Sequence, residues 1–139
     1  MGEIGLEQDP DQSRVLVAED NPMNQRVIQS LLSALGHAFD IVENGKEAVQ
    51  AAAGGSYDVV LMDISMPVMS GEMATRIIRA MDDPTKDMPI VALTADAMAE
   101  HQASYYEAGM NAVATKPINR SELALAINIA MGKEIHAFG

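Results

Sequence analysis

Asp63 closes an apolar run, Val59-Val60-Leu61-Met62, and apolar residues resume beyond it in Ile64-Ser65-Met66-Pro67-Val68-Met69-Ser70-Gly71. A carboxylate at the end of a buried strand is costly unless a cation or donors compensate it. Similar chemistry follows other apolar runs: Glu19-Asp20 after residues 15–18, Thr94 after 89–93 and Lys116 after 112–115. Carboxylates about 4 Å apart repel by roughly 4 kcal/mol at an effective dielectric near 20. A hard divalent cation relieves this, and Mg²⁺ takes one or two carboxylates together with waters and phosphate oxygens. No histidine or cysteine falls in the pattern, which argues against zinc. Among such groups Asp63 has the chemistry of a nucleophile that accepts a phosphoryl group. The cation, Lys116 and the Thr94 hydroxyl would stabilise the transferring oxygens. Singly, each residue has an ordinary use as a helix cap, loop residue or surface charge. Their convergence carries the reading.

That convergence depends on the elements between them. After residue 14 apolar runs alternate with helical periodicity. Asn21-Pro22 supplies an N-cap and a proline at the first helical position. Val27, Ile28, Leu31, Leu32 and Leu35 follow at helical spacing, and Gly36 ends the helix. A strand is predicted over 38–42 and a helix from Asn44 to about Gly54, then a strand over 58–62. Ser70-Gly71 opens a helix with Met73, Ile77, Ile78 and Met81, and Asp82-Asp83-Pro84 reads as a turn. Residues 89–93 form a strand ending in Thr94, 97–108 a helix stopped by Gly109, 112–115 a weaker strand, and 120–131 the last helix. Five strands alternating with five helices imply a doubly wound α/β fold, a parallel sheet covered on both faces. Right-handed crossovers leave few topologies. In such sheets ligands bind beyond the carboxyl ends of the strands, where these polar residues fall.

Composition narrows the field. The 139 residues suit one domain, and 48% hydrophobic content argues for a folded globule. Without cysteine there are no disulfides or thiolate metal sites. A net charge of −11 argues against direct nucleic-acid binding. No apolar run reaches the roughly 20 residues of a membrane helix, and the polar, acidic start is not a secretory signal. These features point to a cytoplasmic protein without membrane contact. Residues 1–13 read as a flexible linker and 133–139 as a tail without signal.

Four stretches, VLVAEDNPMNQ, VVLMDISMPVMSG, IVALTADAM and AGMNAVATKPI, stand in order and at suitable spacing. With them the chain resembles the receiver domain of two-component response regulators over residues 14–132. Their wording is most similar to receivers attached to hybrid sensor histidine kinases. The resemblance implies a flavodoxin-like (βα)5 fold, a five-stranded parallel sheet of order 2-1-3-4-5 with helices on both faces. It implies a signalling phosphoacceptor, not an enzyme, that takes a phosphoryl group from phosphohistidine on Asp63. Asp20, Asp63 and the backbone carbonyl of Ser65 would bind Mg²⁺ (or Mn²⁺ in its place), with Glu19 acting through water. Lys116 would contact the phosphoryl group and Thr94 would move toward it. Lys116–Pro117 is a candidate cis peptide. The implied partners are a histidine kinase or a histidine phosphotransfer protein, with a monomeric domain and an origin within a hybrid kinase.

One position departs from the family. Its members usually carry Tyr or Phe three residues before the lysine, an aromatic that swings inward on activation; here it is Val113, beside Ala112 where a polar residue is usual. Switching through the fifth strand should therefore be weaker or different. Tyr105 and Tyr106 are nearby in sequence, and helical spacing assigns Tyr106 to the core. The 11 methionines suit gap-filling, with Met66 and Met69 as partner-facing alternatives. His37, His101 and His136 read as surface residues. A dehalogenase-type phosphohydrolase is disfavoured, because that family places a second Asp two residues after its nucleophile and Ser65 stands there. A receiver-like module that binds partners without phosphorylation is the other alternative. A flavin site lacks its phosphate loop.

Overall fold

The computed structural model describes residues 13–82 and 84–132. Expectations for residues 1–12, Asp83, and 133–139 with His136 lie outside them. The chain runs β1(Arg14–Ala18), α1(Pro22–Leu35), β2(Ala38–Val42), α2(Gly45–Gly54), β3(Val59–Asp63), α3(Gly71–Arg79), β4(Ile90–Thr94), α4(Ala99–Ala108), β5(Ala112–Thr115) and α5(Arg120–Ala130). A 3-10 turn over Thr85–Asp87 precedes β4. All pairings are parallel, and the sheet order is β2-β1-β3-β4-β5, the doubly wound order expected. Among the described residues no helix is long and apolar enough to cross a membrane.

The period-two alternation of the central strands divides the core. Val15, Val17, Val59, Leu61, Val91 and Leu93 face one side, where Ile28 and Leu32 of α1 and Leu123 and Ile127 of α5 cover them. Leu16, Val60, Met62, Ile90 and Ala92 face the other, under Ala48, Ala74, Ile78 and Tyr105 from α2, α3 and α4. Every residue of β3 and β4 is buried, which is why these strands read as continuous apolar runs.

The sequence signals for helix ends act as expected. Asn21 Oδ1 accepts the N–H groups of Met23 and Asn24, Asn44 Oδ1 that of Glu47, and Ser70 Oγ that of Met73. Gly36 and Gly109 adopt left-handed C-cap conformations with φ of 85° and 112°. The helix expected from residue 97 starts at Ala99; Met98 is extended, and its N–H donates to Asp96 Oδ1 ahead of the helix. The last helix is capped by Asn119, whose Oδ1 accepts the Glu122 N–H. The aromatic assignment in α4 is corrected: Tyr105 is buried, whereas Tyr106 is 50% exposed. Too few apolar residues surround the pair for spacing to fix the phase of that helix. Met66 and Met69 are half-buried against the core. His37 is half-buried and accepts the Ser13 N–H on Nδ1, and His101 is exposed and pairs with Asp96.

Candidate functional site

The sheet register assembles the site. Ala18 pairs with Met62, so Glu19, the next residue on the β1 side, falls beside Asp63 at the end of β3. Asp63 pairs with Leu93 and Thr94 with Thr115, which sets Thr94 and Lys116 beside it at the same edge. Backbone bonds close the edge: Ile64 N–H donates to Leu93 O (3.1 Å) and Lys116 N–H to Thr94 O (2.7 Å). Glycine at 71 has a steric cause, since a Cβ there would meet the Asp63 carbonyl oxygen at 2.1 Å. The absent side chain lets α3 begin directly against the end of β3. The Lys116–Pro117 peptide is cis.

Glu19, Asp20, Asp63, Thr94 and Lys116 all line one open cleft of about 760 Å³. Asp63 is 4% exposed, and Glu19 is fully buried. Lys116 Nζ lies 3.0 Å from Glu19 Oε1 and donates to Asp63 Oδ1 at 3.1 Å. The Ser65 N–H reaches the same Asp63 oxygen at 3.3 Å. Glu19 is held from its other side: its Oε2 accepts the Asn21 N–H, and its carbonyl accepts from Gln25 Nε2 at 2.6 Å.

Burial first, and the Glu19 carboxylate second, push the Asp63 carboxyl up to about 6 against the pull of Lys116. Burial opposes the charge on Lys116, but Glu19 and Asp63 outweigh it and hold its pKa above the ordinary lysine value. One ammonium therefore faces two buried carboxylates, with Asp20 exposed beside them. Oxygen atoms of Glu19, Asp20 and Asp63 lie within 4.8 Å of one another. Glu19 Oε1 is buried, with the Lys116 ammonium as its ion-pair partner. An all-oxygen donor set with excess negative charge fits a hard divalent cation.

Two lining residues carried no signal as site residues in the sequence. Tyr105 brings its hydroxyl to 3.1 Å from Thr94 Oγ1, inside the cleft. Asp96 accepts the Met98 N–H at 2.9 Å and pairs with His101. That backbone N–H, with His101 second, holds the Asp96 carboxyl below the usual range. A tyrosine three residues before the buried Ala108 is the one pattern that would have pointed inward.

The model of the response regulator receiver domain family matches residues 15–128. The chain is 43% identical over 116 residues to the sensor protein GacS of Pseudomonas syringae pv. syringae, a match covering 82% of this chain and 13% of that protein. It is 41% identical over 109 residues to two-component response regulator 24 of Arabidopsis thaliana, covering 78% and 76%. The crystal structure of the receiver domain of sensor histidine kinase PA1611 from Pseudomonas aeruginosa PAO1 superposes with a TM-score of 0.79 at 39% identity, over 88% of this chain and 99% of that one. That structure has a magnesium ion coordinated in its active site cleft. The chain thus spans a small fraction of its kinase relatives and most of a response regulator. Fold, motif order and relatives agree, and this chain belongs to the response regulator receiver domain family.

Proposed function

We propose that Asp63 accepts a phosphoryl group from a phosphohistidine of a histidine kinase or histidine phosphotransfer protein. The observation that carries this is the pairing of a buried carboxylate with a lysine at the carboxyl edge of the sheet, 3.1 Å apart, inside an open cleft. An Asp63 oxygen attacks phosphorus as the P–N bond breaks; the imidazole nitrogen leaves with that electron pair and takes up a proton. Lys116 offsets charge on the transferred oxygens and Thr94 offers them a hydroxyl. Asp20, Asp63 and the Ser65 carbonyl would hold Mg²⁺, or Mn²⁺, directly, and Glu19 through water. The ion would supply charge neutralisation at the transferring oxygens.

Residues 14–132 form the receiver domain in this reading, and it acts as a monomeric module of a larger hybrid kinase in the cytoplasm. The same residues serve onward transfer to a phosphotransfer protein. Intact mass after incubation with phosphoramidate and Mg²⁺, beside Asp63→Asn, tests it. One added phosphoryl group in the wild type and none in the variant is expected. No uptake in a protein that still binds Mg²⁺ points instead to a module that binds partners without phosphorylation.

A further inference from the structure

We propose that Tyr105, on α4, is the residue that positions the Thr94 hydroxyl and carries its rearrangement into α4; the inference rests on Asp63 being the phosphoacceptor. Tyr105 is 5% and Thr94 4% exposed, and their oxygens lie 3.1 Å apart. Thr94 Oγ1 also accepts the Asp96 N–H at 3.0 Å. A threonine hydroxyl has two lone pairs and one proton. With the Asp96 N–H on one lone pair and the Tyr105 O–H on the other, the Thr94 proton is left free to be donated. Thr94, Tyr105 and Asp63 line one cleft, the one a phosphoryl group on Asp63 would enter. In the opposite polarity Thr94 spends its proton on Tyr105 and has none for phosphate. Three acceptor oxygens arriving at the site select the first polarity.

The same bond links the site to a helix. A buried phenol that loses its partner bears the cost of an unsatisfied polar group. Movement of Thr94 toward a phosphoryl group therefore draws Tyr105 with it, and the ring is carried by α4. On β5, Val113 offers no polar side-chain atom, and Tyr106 on α4 is half exposed. Tyr105 is buried in the apolar cluster against which the half-buried Val113 packs.

The test compares wild type, Tyr105→Phe, Thr94→Val and the double variant for the rate of phosphorylation by phosphoramidate with Mg²⁺, read by intact mass. Tyr105→Phe keeps the ring, and its thermal midpoint is recorded beside the rates. We expect it to slow uptake about fivefold, the factor that accompanies one ordinary hydrogen bond. In the Thr94→Val background the same change should alter the rate less than twofold. Amide shifts in α4 on phosphorylation should shrink in Tyr105→Phe. A wild-type rate in Tyr105→Phe overturns the proposal, as does an equal loss with and without the Thr94 hydroxyl. No uptake by the wild type removes the phosphoacceptor reading itself, and the inference with it.

Discussion

Lys116 Nζ donates to Asp63 Oδ1 at 3.1 Å across 53 residues of chain. The same nitrogen lies 3.0 Å from Glu19 Oε1, so one cation holds two buried carboxylates together. Lys116→Met should leave their repulsion uncompensated. Breaking a fully buried pair costs 3–5 kcal/mol, and the Lys116 side chain is 20% exposed, so about 1–3 kcal/mol is expected here. Mg²⁺ should then raise the unfolding midpoint more in the variant than in the wild type. Thermal unfolding with and without Mg²⁺ checks this, and equal increments in both proteins would contradict it.

The raised Asp63 pKa gives a pH prediction with a definite sign. Its folded value of about 6 exceeds the ordinary 3.8, so the folded state binds the proton more tightly. Stability without Mg²⁺ should therefore fall as pH rises between about 4 and 6, then level off. Asp63→Asn removes the charge and should stabilise the metal-free protein at pH 7.5. That gain should be full above about pH 6 and shrink on acidification through the window. Unfolding midpoints of both proteins from pH 4 to 8 measure it, and a gain independent of pH would rule out Asp63 ionisation as its cause.

Val68 has φ 70° and is 77% exposed, in the loop between Asp63 and α3. A β-branched residue in the left-handed region is an outlier, and such backbone strain costs about 1–3 kcal/mol. Val68→Asn keeps the backbone and suits that conformation better, so about 1 kcal/mol of stabilisation is expected. Denaturant unfolding should show a higher midpoint with an unchanged slope. A lower midpoint would mean that the exposed valine makes a contribution outweighing the strain.

The legible parts of this protein are those where one signal dominates. Continuous apolar runs marked β3 and β4 because both faces of those strands are buried, and Asn21, Asn44 and Ser70 marked helix starts through their caps. Residues at strand ends foretold the site, since a parallel sheet must gather those ends at one edge. What stayed hidden depends on the phase of a helix or on long-range contact. The turn of α4 that buries Tyr105 in place of Tyr106 depends on packing in the cluster that holds Ile78 and Ala92, and local spacing does not encode it. Likewise, Arg79 joins Gly109 O, Lys86 O and Asn111 Oδ1 at 2.7–2.9 Å, and nothing near residue 79 signals the distant partners Gly109 and Asn111.

Val113 and Tyr105 belong to one packing problem, which yields a last prediction. Val113 is half-buried on β5 at the edge of the cluster that contains Tyr105 and Met110. Restoring a ring there as Val113→Tyr should overpack that cluster and destabilise by about 1–3 kcal/mol. Tyr105→Ala should also destabilise, by about 3–5 kcal/mol through the cavity it leaves. Combined, the two should cost at least about 1 kcal/mol less than their sum, because the new ring enters the vacated space. Urea unfolding of the four proteins gives the coupling directly. Strict additivity would mean that the two rings do not compete for one space, and the absence of an aromatic on β5 would then be unrelated to the tyrosine on α4.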